Sequence, residues 1–410
     1  MKNNISLLFS SVALSALAAC APQNPRLMPA PVVYGDTATE AKPQFVTVNP
    51  KVDIIIVMDN SGSMADEQVT LNKNVDKFAL GLAKNGELDV HAATVSVWDT
   101  ITFKEMQKEY GMGEMRRLTD PNGKILPDTF PRYVSSKENY DTYLNGAGFK
   151  TDQVPGWIQV LSSSIKIGIE GYRSDYKTSH KGGPNFEEVF SPIKAALSSP
   201  MEEGANRGFR RPDAHLVIAF FTDTDASPHD DVGKAFDLTA GELEDFLRNK
   251  ISPNCKEQAE CPSFKDQVTV FGALAKSTDP RSEMDPALWG TKESGPLDPV
   301  IIHSFIRSFN GQIMGLRGPD YGEKMAEIGA FVRSRALKHP QVKLDYAAEW
   351  KTVKVELNDE KLIMGQDWKF DAKKNSVVIT RDLAPSNGGI DIKVGYTPIT
   401  AGSINGNRTQ

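Results

Sequence analysis

Three oxygen-bearing side chains follow an apolar segment at alternate positions. The run Val52–Met58 is almost continuously apolar and continues as Asp59-Asn60-Ser61-Gly62-Ser63. Alternate residues of a loop that leaves a strand can direct their side chains at one point. A carboxylate and two hydroxyls are suitable ligands for a hard cation such as Mg²⁺, which prefers oxygen and near-octahedral geometry. The spacing therefore predicts that Asp59, Ser61 and Ser63 bind a divalent cation.

A second acidic loop follows a second apolar run. The segment His215–Thr222 continues as Asp223-Thr224-Asp225. Both apolar runs are typical of strands buried on both faces of a parallel sheet. Because ligands gather at the carboxyl ends of strands in open α/β sheets, we expect Asp223 to lie beside Asp59. A serine that caps a helix would account for the first loop alone, without the second.

The remaining pattern predicts an α/β domain followed by a β module. Helical spacing over Met64–Leu82, alternation at Ala93, Val95 and Val97, a capping box at Thr239–Glu242 and a helix over Tyr321–Leu337 indicate helices interleaved with strands. Further predicted elements are a helix that begins near Ser191 and a strand over Gln267–Ala273. After Pro340, period-2 alternation between turn residues predicts a small antiparallel β module over 341–400. The α/β domain then covers 51–340, with a large insertion around 99–180.

The two loops resemble the metal-ion-dependent adhesion site of von Willebrand factor type A and integrin inserted domains. Asp59-x-Ser61-x-Ser63 matches the first metal loop, and Asp223 matches the acidic residue of the second, which usually reaches the metal through water. Thr224 stands where the family commonly has glycine. The segment Asn206–Ala214 is also similar to one in secreted bacterial type A proteins. The resemblance implies a doubly wound, mostly parallel sheet flanked by helices.

The third metal loop departs from the family pattern. The usual Gly-Gly-Thr segment is replaced by Gly182-Gly183-Pro184-Asn185-Phe186-Glu187-Glu188, which has no threonine. Register with the family places Glu187 near the threonine position, with Asn185 and Glu188 as alternatives. These acids could instead simply favour a helix start through its dipole. If Glu187 is a ligand, its negative charge would bind the ion more tightly. The ion would then need an external anion less, and the preference of the site would shift toward Ca²⁺.

The N-terminal segment predicts export and lipid anchoring. Residues 1–19 have the short cationic start and apolar stretch of a signal peptide. Leu17-Ala18-Ala19-Cys20 resembles the lipobox of bacterial lipoproteins, in which the cysteine is acylated; the alternative is an ordinary signal peptide with an incidental cysteine. In Gram-negative lipoproteins a non-acidic residue such as Ala21 implies the outer membrane. Residues 20–50 are expected to form an extended tether.

The other two cysteines favour a disulfide. Cys255 and Cys261 are close in sequence, and an exported protein folds in an oxidising compartment. A zinc site would need four ligands, and no histidine or further cysteine lies near this pair.

These features together predict a binding protein. In adhesion sites of this family an acidic side chain of a protein partner completes the metal shell. Mg²⁺ is the expected ion, with Ca²⁺ or Mn²⁺ as alternatives. The competing hypothesis is an envelope-assembly protein in which the cation only stabilises the fold. A formal charge of −6 gives no basic patch for nucleic acid. Catalysis is not expected, because the chain lacks a serine-hydrolase elbow and its six histidines are scattered.

Overall fold

The computed structural model describes most of the region between residues 46 and 399. The described residues are 46–47, 51–61, 64–83, 88–100, 110–167, 187–226, 237–252, 264–275, 299–316, 320–338, 341–372, 374–381 and 392–399. Four of the residues singled out above, Cys20, Ser63, Cys255 and Cys261, lie outside these ranges, as do the signal peptide and Asn185. None of the helices within them is both long enough and apolar enough to span a bilayer.

The secondary structure follows the predicted α/β order and then changes to strands. The strands in chain order are β1 (Val46–Thr47), β2 (Lys51–Met58), β3 (Asp89–Ser96), β4 (Val134–Ser135), β5 (His215–Thr222), β6 (Val268–Leu274), β7 (Gln312–Gly315), β8 (Gln341–Lys343), β9 (Lys354–Leu357), β10 (Glu360–Lys361), β11 (Trp368–Asp371), β12 (Ser376–Ile379) and β13 (Ile392–Gly395). The helices are α1 (Ala65–Ala83), α2 (Tyr140–Gly146), α3 (Gly156–Ile165), α4 (Ser191–Ala196), α5 (Ala240–Ile251), α6 (Val300–Ser308) and α7 (Tyr321–Lys338).

Six strands form the central sheet in the order β4-β3-β2-β5-β6-β7. All neighbours are parallel except β4, which pairs antiparallel with β3. The strand order reverses at β2, which has β3 on one side and β5 on the other. Such a reversal is the switch point at which doubly wound sheets bind ligands beyond the carboxyl ends of their strands. The predicted mostly parallel α/β fold is therefore confirmed, and both predicted loops leave the sheet at this point.

The continuous apolar run of β2 exists because both faces of the sheet are covered. Ile54, Ile56 and Met58 belong to a core shared with α1 and α7, whereas Ile55 and Val57 belong to a second core shared with α4, α5 and α6. Successive residues of a strand point to opposite faces, so a strand between two cores needs apolar side chains at every position.

Helices α1 and α7 approach each other through two glycines. A Cβ added at Gly329 would lie 2.8 Å from the carbonyl oxygen of Phe78 and 2.9 Å from Cα of Gly81. We expect Gly329→Ala to lower the free energy of unfolding by about 1–3 kcal/mol, because extra volume in a close-packed contact forces the backbones apart.

Urea denaturation measures this effect, and Gly241→Ala in α5 is the matched control. A Cβ at Gly241 would have no neighbour within 4 Å. Alanine there should leave stability unchanged or raise it by up to about 1 kcal/mol, because alanine is the better helix former. Equal effects of the two substitutions would contradict the close contact.

The region expected to be an insertion contains ordered elements at the edge of the sheet. Strand β4 extends the sheet beside β3, and α3 lies against α1. Ile165 is the last residue of α3. The buried side chains Val160, Leu161 and Ile165 join the same core as α1.

The C-terminal strands form the antiparallel module predicted from their alternation. One sheet has the order β1-β13-β9-β10 and the other the order β11-β12-β8. Strand β1 comes from the segment expected to be tether: Val46 pairs with Val394 and Thr47 with Lys393. Residues from both sides of the α/β domain therefore contribute to one sheet of the module.

A buried ion-pair network lies at the amino-terminal edge of the central sheet. Asp53 of β2 is fully buried and accepts hydrogen bonds from Arg210 Nη1 at 2.8 Å, from Arg211 Nε at 2.8 Å and from the Arg211 backbone N–H at 2.7 Å. Arg211 Nη1 also donates to Asp89 of β3 at 2.7 Å. The segment that resembled secreted type A proteins thus ties β2 and β3 to the residues before β5.

Candidate metal centre

The parallel pairing of β2 and β5 brings the two acidic loops together. Met58 pairs with Phe221, and the Asp59 backbone N–H donates to the Phe221 carbonyl at 2.9 Å. Asp59 and Asp223 consequently leave neighbouring strands at the same edge of the sheet. Their carboxyl groups share a hydrogen bond.

The first loop is held by hydrogen bonds to Asp59. This residue is fully buried, and its Oδ1 accepts from the Ser61 backbone N–H at 2.8 Å. Its Oδ2 accepts from Thr222 Oγ1 at 2.7 Å, while its backbone carbonyl accepts from Gln68 Nε2 at 2.9 Å. Thr222 Oγ1 in turn accepts from the Thr224 N–H at 3.0 Å. The last residue of β5 therefore joins the first loop to the second.

Glu187 lies beside Asp59 and Asp223. Burial, followed by the negative charges of Asp59 and Asp223, raises the pKa of Glu187 to about 9, and the side chain of Thr224 hydrogen-bonds to it. Burial also raises the pKa of Asp59. Carboxyl groups that perturb one another's pKa at the carboxyl end of a parallel sheet are characteristic of functional sites.

Glu188, one of the alternatives to Glu187, is committed elsewhere. Its backbone forms an antiparallel bridge with Trp98, in which the Glu188 N–H donates at 2.7 Å and its carbonyl accepts at 3.1 Å. Its Oε1 accepts from the Thr100 backbone N–H at 2.7 Å. Adjacent residues of an extended segment point to opposite sides. Glu188 therefore faces Thr100 while Glu187 faces the two aspartates.

The donor set suits a divalent cation with mixed oxygen ligands. Within the described ranges, no three Asp, Glu, His or Cys side chains are grouped closely enough to hold an ion by themselves. An ion beside Asp59 and Asp223 would therefore also need hydroxyl or water ligands, and the buried Ser61 lies in the same loop as Asp59. A divalent charge would neutralise carboxylates that otherwise repel one another. The oxygen donors of Asp59, Ser61 and Asp223 are thus of the types that a divalent cation prefers, and Ser63 lies outside the described part.

Without a cation, the stability of the protein should fall as pH rises. The pKa of Glu187 is raised from 4.5 to about 9, so between these values the native state binds more protons than the unfolded state. The free energy of unfolding therefore decreases as the pH rises from 4.5 to about 9. We expect Glu187→Gln to melt at a higher temperature than the parent in chelator at pH 8, with a smaller difference near pH 4.5.

Melting curves in chelator at the two pH values measure this effect. The exposed Glu360, which pairs only at the surface with Arg381, supplies the control Glu360→Gln. A difference for Glu187→Gln that does not change with pH would contradict the electrostatic contact.

Two further aspartates cap helices that lie far from them in sequence. Asp225 accepts from the backbone N–H groups of Ile301 and Ile302 at 2.9–3.0 Å and so caps α6. Asp237 accepts hydrogen bonds from the backbone N–H groups of Val189, Phe190 and Ser191 and so caps α4. Both acids lie far in sequence from the helices that they cap, so no local capping pattern could reveal them.

Comparison with known proteins finds similarity in structure only. Neither a family model nor a curated protein sequence matches the chain. A von Willebrand factor type A protein from Catenulispora acidiphila superposes with a TM-score of 0.35 at 10% identity, covering 90% of this chain and 67% of that one. Proximal thread matrix protein 1 of the mussel byssus, with a zinc-occupied MIDAS motif, has a TM-score of 0.31 at 11% identity, covering 73% and 50%. A Streptococcus pneumoniae pilus adhesin has a TM-score of 0.29 at 11% identity, covering 90% and 58%.

The chain spans about half the length of the mussel protein and little more of the adhesin. At these TM-scores the superpositions establish neither function nor partner. The fold is defined by the chain's own strand order, with its reversal at β2, and by the acidic loops after β2 and β5. On these features the chain has an α/β fold of the von Willebrand factor type A kind, joined to an antiparallel β module.

Proposed function

We propose that this protein is a metal-ion-dependent binding protein of the bacterial envelope. A divalent cation is held by Asp59, Ser61, Ser63, Glu187 and Asp223 and engages an acidic side chain of a protein partner. The observation that carries the proposal is the hydrogen bond between Asp59 and Asp223 at the switch point of the sheet, with Glu187 interacting electrostatically with both. When bound, the ion supplies positive charge and a coordination position for an external carboxylate.

The same proposal includes the location of the protein. Cys20 is the lipid-anchored residue, and the outer membrane of a Gram-negative bacterium is the proposed location. The β module, which includes β1 from the segment expected to be tether, would then be the part of the described structure nearest to the anchor along the chain. The pair Cys255 and Cys261 forms a disulfide in this proposal.

A peptide selection tests the binding function directly. Displayed random peptides are selected on the purified chain in Mn²⁺ or Mg²⁺, eluted with acid and then tested for binding with and without chelator. Enriched peptides should contain Asp or Glu, and changing that residue to Asn or Gln should abolish binding, because the uncharged side chain is a poor ligand for the ion. Enriched peptides that bind equally in chelator would contradict cation-dependent recognition.

One observation favours a second candidate, in which the module provides the contact surface. Trp350, Ile363 and Met364 of the module are large apolar residues with exposed fractions of 50%, 59% and 45%. Here the cation would only stabilise the α/β domain, as in the envelope-assembly hypothesis. The selected peptides distinguish the two functions: binding that is lost on Ile363→Ser but survives in chelator would support the module.

A further inference from the structure

Asp237 is a buried acid that makes most of its hydrogen bonds to one short segment. Its Oδ2 accepts from the backbone N–H groups of Val189 at 2.8 Å and Phe190 at 3.1 Å. Its Oδ1 accepts from the backbone N–H of Ser191 and from Ser191 Oγ, both at 2.8 Å. The Leu238 N–H also donates to Oδ1 at 2.8 Å.

These bonds replace a cap that α4 lacks in its own sequence. The residue before α4, Phe190, makes no side-chain capping bond. The first N–H groups of a helix have no partner within the helix and need an acceptor, for which an anion is favourable. Asp237 provides that acceptor from 46 residues away along the chain. It therefore fixes where α4 begins and, with it, the residues immediately before the helix.

The residues that directly follow Glu187 are attached at two places. Asp237 holds residues 189–191, while the Glu188 backbone is bridged to Trp98 and the Glu188 side chain accepts from Thr100. With the residues on its C-terminal side fixed in this way, Glu187 is directed toward Asp59 and Asp223. Outer residues of metal sites act by orienting the ligands in this manner.

We propose that Asp237 is the positioning residue of the third metal loop, which holds Glu187 in place to bind the cation. This inference rests on the proposed function and adds a residue to it. A carboxylate is required because both oxygens accept from N–H groups. An asparagine would present its own N–H₂ to backbone donors on one side, leaving Val189 and Phe190, or Ser191, without an acceptor.

Mn²⁺ binding followed by electron paramagnetic resonance tests this role. Free Mn²⁺ is counted directly, so the dissociation constant is obtained without a partner. We expect Asp237→Asn in the full chain to weaken Mn²⁺ binding by about 10- to 100-fold, the range typical of residues that orient metal ligands. Ser191→Ala, which removes one hydrogen bond to Asp237, should weaken it in the same direction by a smaller factor. It serves as the test if Asp237→Asn does not fold.

The matched control is Asp53→Asn. Asp53 is also a buried acid with several hydrogen bonds, but it lies at the opposite edge of the sheet. The substitution Asp53→Asn should lower the free energy of unfolding without changing Mn²⁺ affinity. A double-mutant cycle then separates positioning of Glu187 from a general loss of stability. In a Glu187→Gln background, Asp237→Asn should cause little further loss of Mn²⁺ affinity, because the two residues act on the same metal ligand.

The outcomes distinguish this inference from the proposed function. If the parent binds Mn²⁺ and Asp59→Asn abolishes binding, but Asp237→Asn leaves affinity unchanged, the proposed function stands and the role of Asp237 is overturned. The role is also overturned if Asp53→Asn weakens binding equally, or if Asp237→Asn acts fully in the Glu187→Gln background. A parent chain that binds no Mn²⁺ overturns both.

Discussion

Asp59→Asn is expected to abolish the rise in melting temperature that divalent cations cause in the parent chain. A ligand that binds only the native state stabilises it by about 2.7 kcal/mol when present at 100 times its dissociation constant. Asp59 is buried in contact with Asp223, so its loss removes a central charged oxygen of the site. Asparagine keeps the size of the side chain and can still accept from the Ser61 N–H, so the variant should fold in chelator.

Melting curves in Mg²⁺, Mn²⁺, Ca²⁺ and chelator provide the measurement. Asp128→Asn is the control, because it removes the same charge at a position that is 80% exposed and paired only with Arg117. The control should show the full cation-dependent rise. A rise of equal size in Asp59→Asn would place the cation elsewhere in the protein. The ion that gives the largest shift also tests whether the carboxylate Glu187 favours Ca²⁺ over Mg²⁺.

Asp53→Asn is expected to lower the free energy of unfolding by about 3–5 kcal/mol, because it leaves Arg210 without its buried counter-ion and Arg211 with Asp89 alone. Arg210 and Arg211 both donate to Asp53, and their side chains are only 7% and 15% exposed. A charge that is neither paired nor hydrated is costly, which distinguishes this network from surface ion pairs.

Urea denaturation measures the loss, and Asp213→Asn is the control at the same edge of the sheet. Asp213 pairs with Lys51 at 2.7 Å, but the Lys51 side chain is 36% exposed, so solvent screens the pair. This substitution should cost about 1 kcal/mol or less. Equal losses in the two variants would contradict the network's role. Replacing Asp53, Arg210 and Arg211 together with apolar residues should cost less than Asp53→Asn alone.

The two ends of the central sheet are therefore used differently. At the amino-terminal edge, Asp53 is neutralised within the protein by Arg210 and Arg211. At the carboxyl-terminal edge, the neighbours of Asp59 include two further acids, Asp223 and Glu187. One aspartate near each end of β2 thus serves stability at one edge and, in the proposed function, cation binding at the other.

Local patterns in the sequence determined the main elements of the fold. The apolar runs of β2 and β5, the helical spacing of α1 and α7 and the capping box of α5 are all present in the structure within one or two residues of their predicted bounds. The alternation after residue 340 likewise became an antiparallel module. These signals are reliable because each depends on burial or capping within a single segment. The placement of Asp59 and Asp223 together followed from the parallel strands that precede them.

Contacts between distant segments decided what the sequence left open. The choice between Glu187 and Glu188 depends on the bridge to Trp98 and on the cap from Asp237, neither of which has a local pattern. The same holds for the pairing of Asp53 with Arg211, which are 158 residues apart, and for β1, which joins β13 although it looked like tether. The sequence shows which side chains can bind a cation or carry charge. The direction and partners of those side chains are set only when the chain folds, because burial and pairing involve residues that are far apart in sequence.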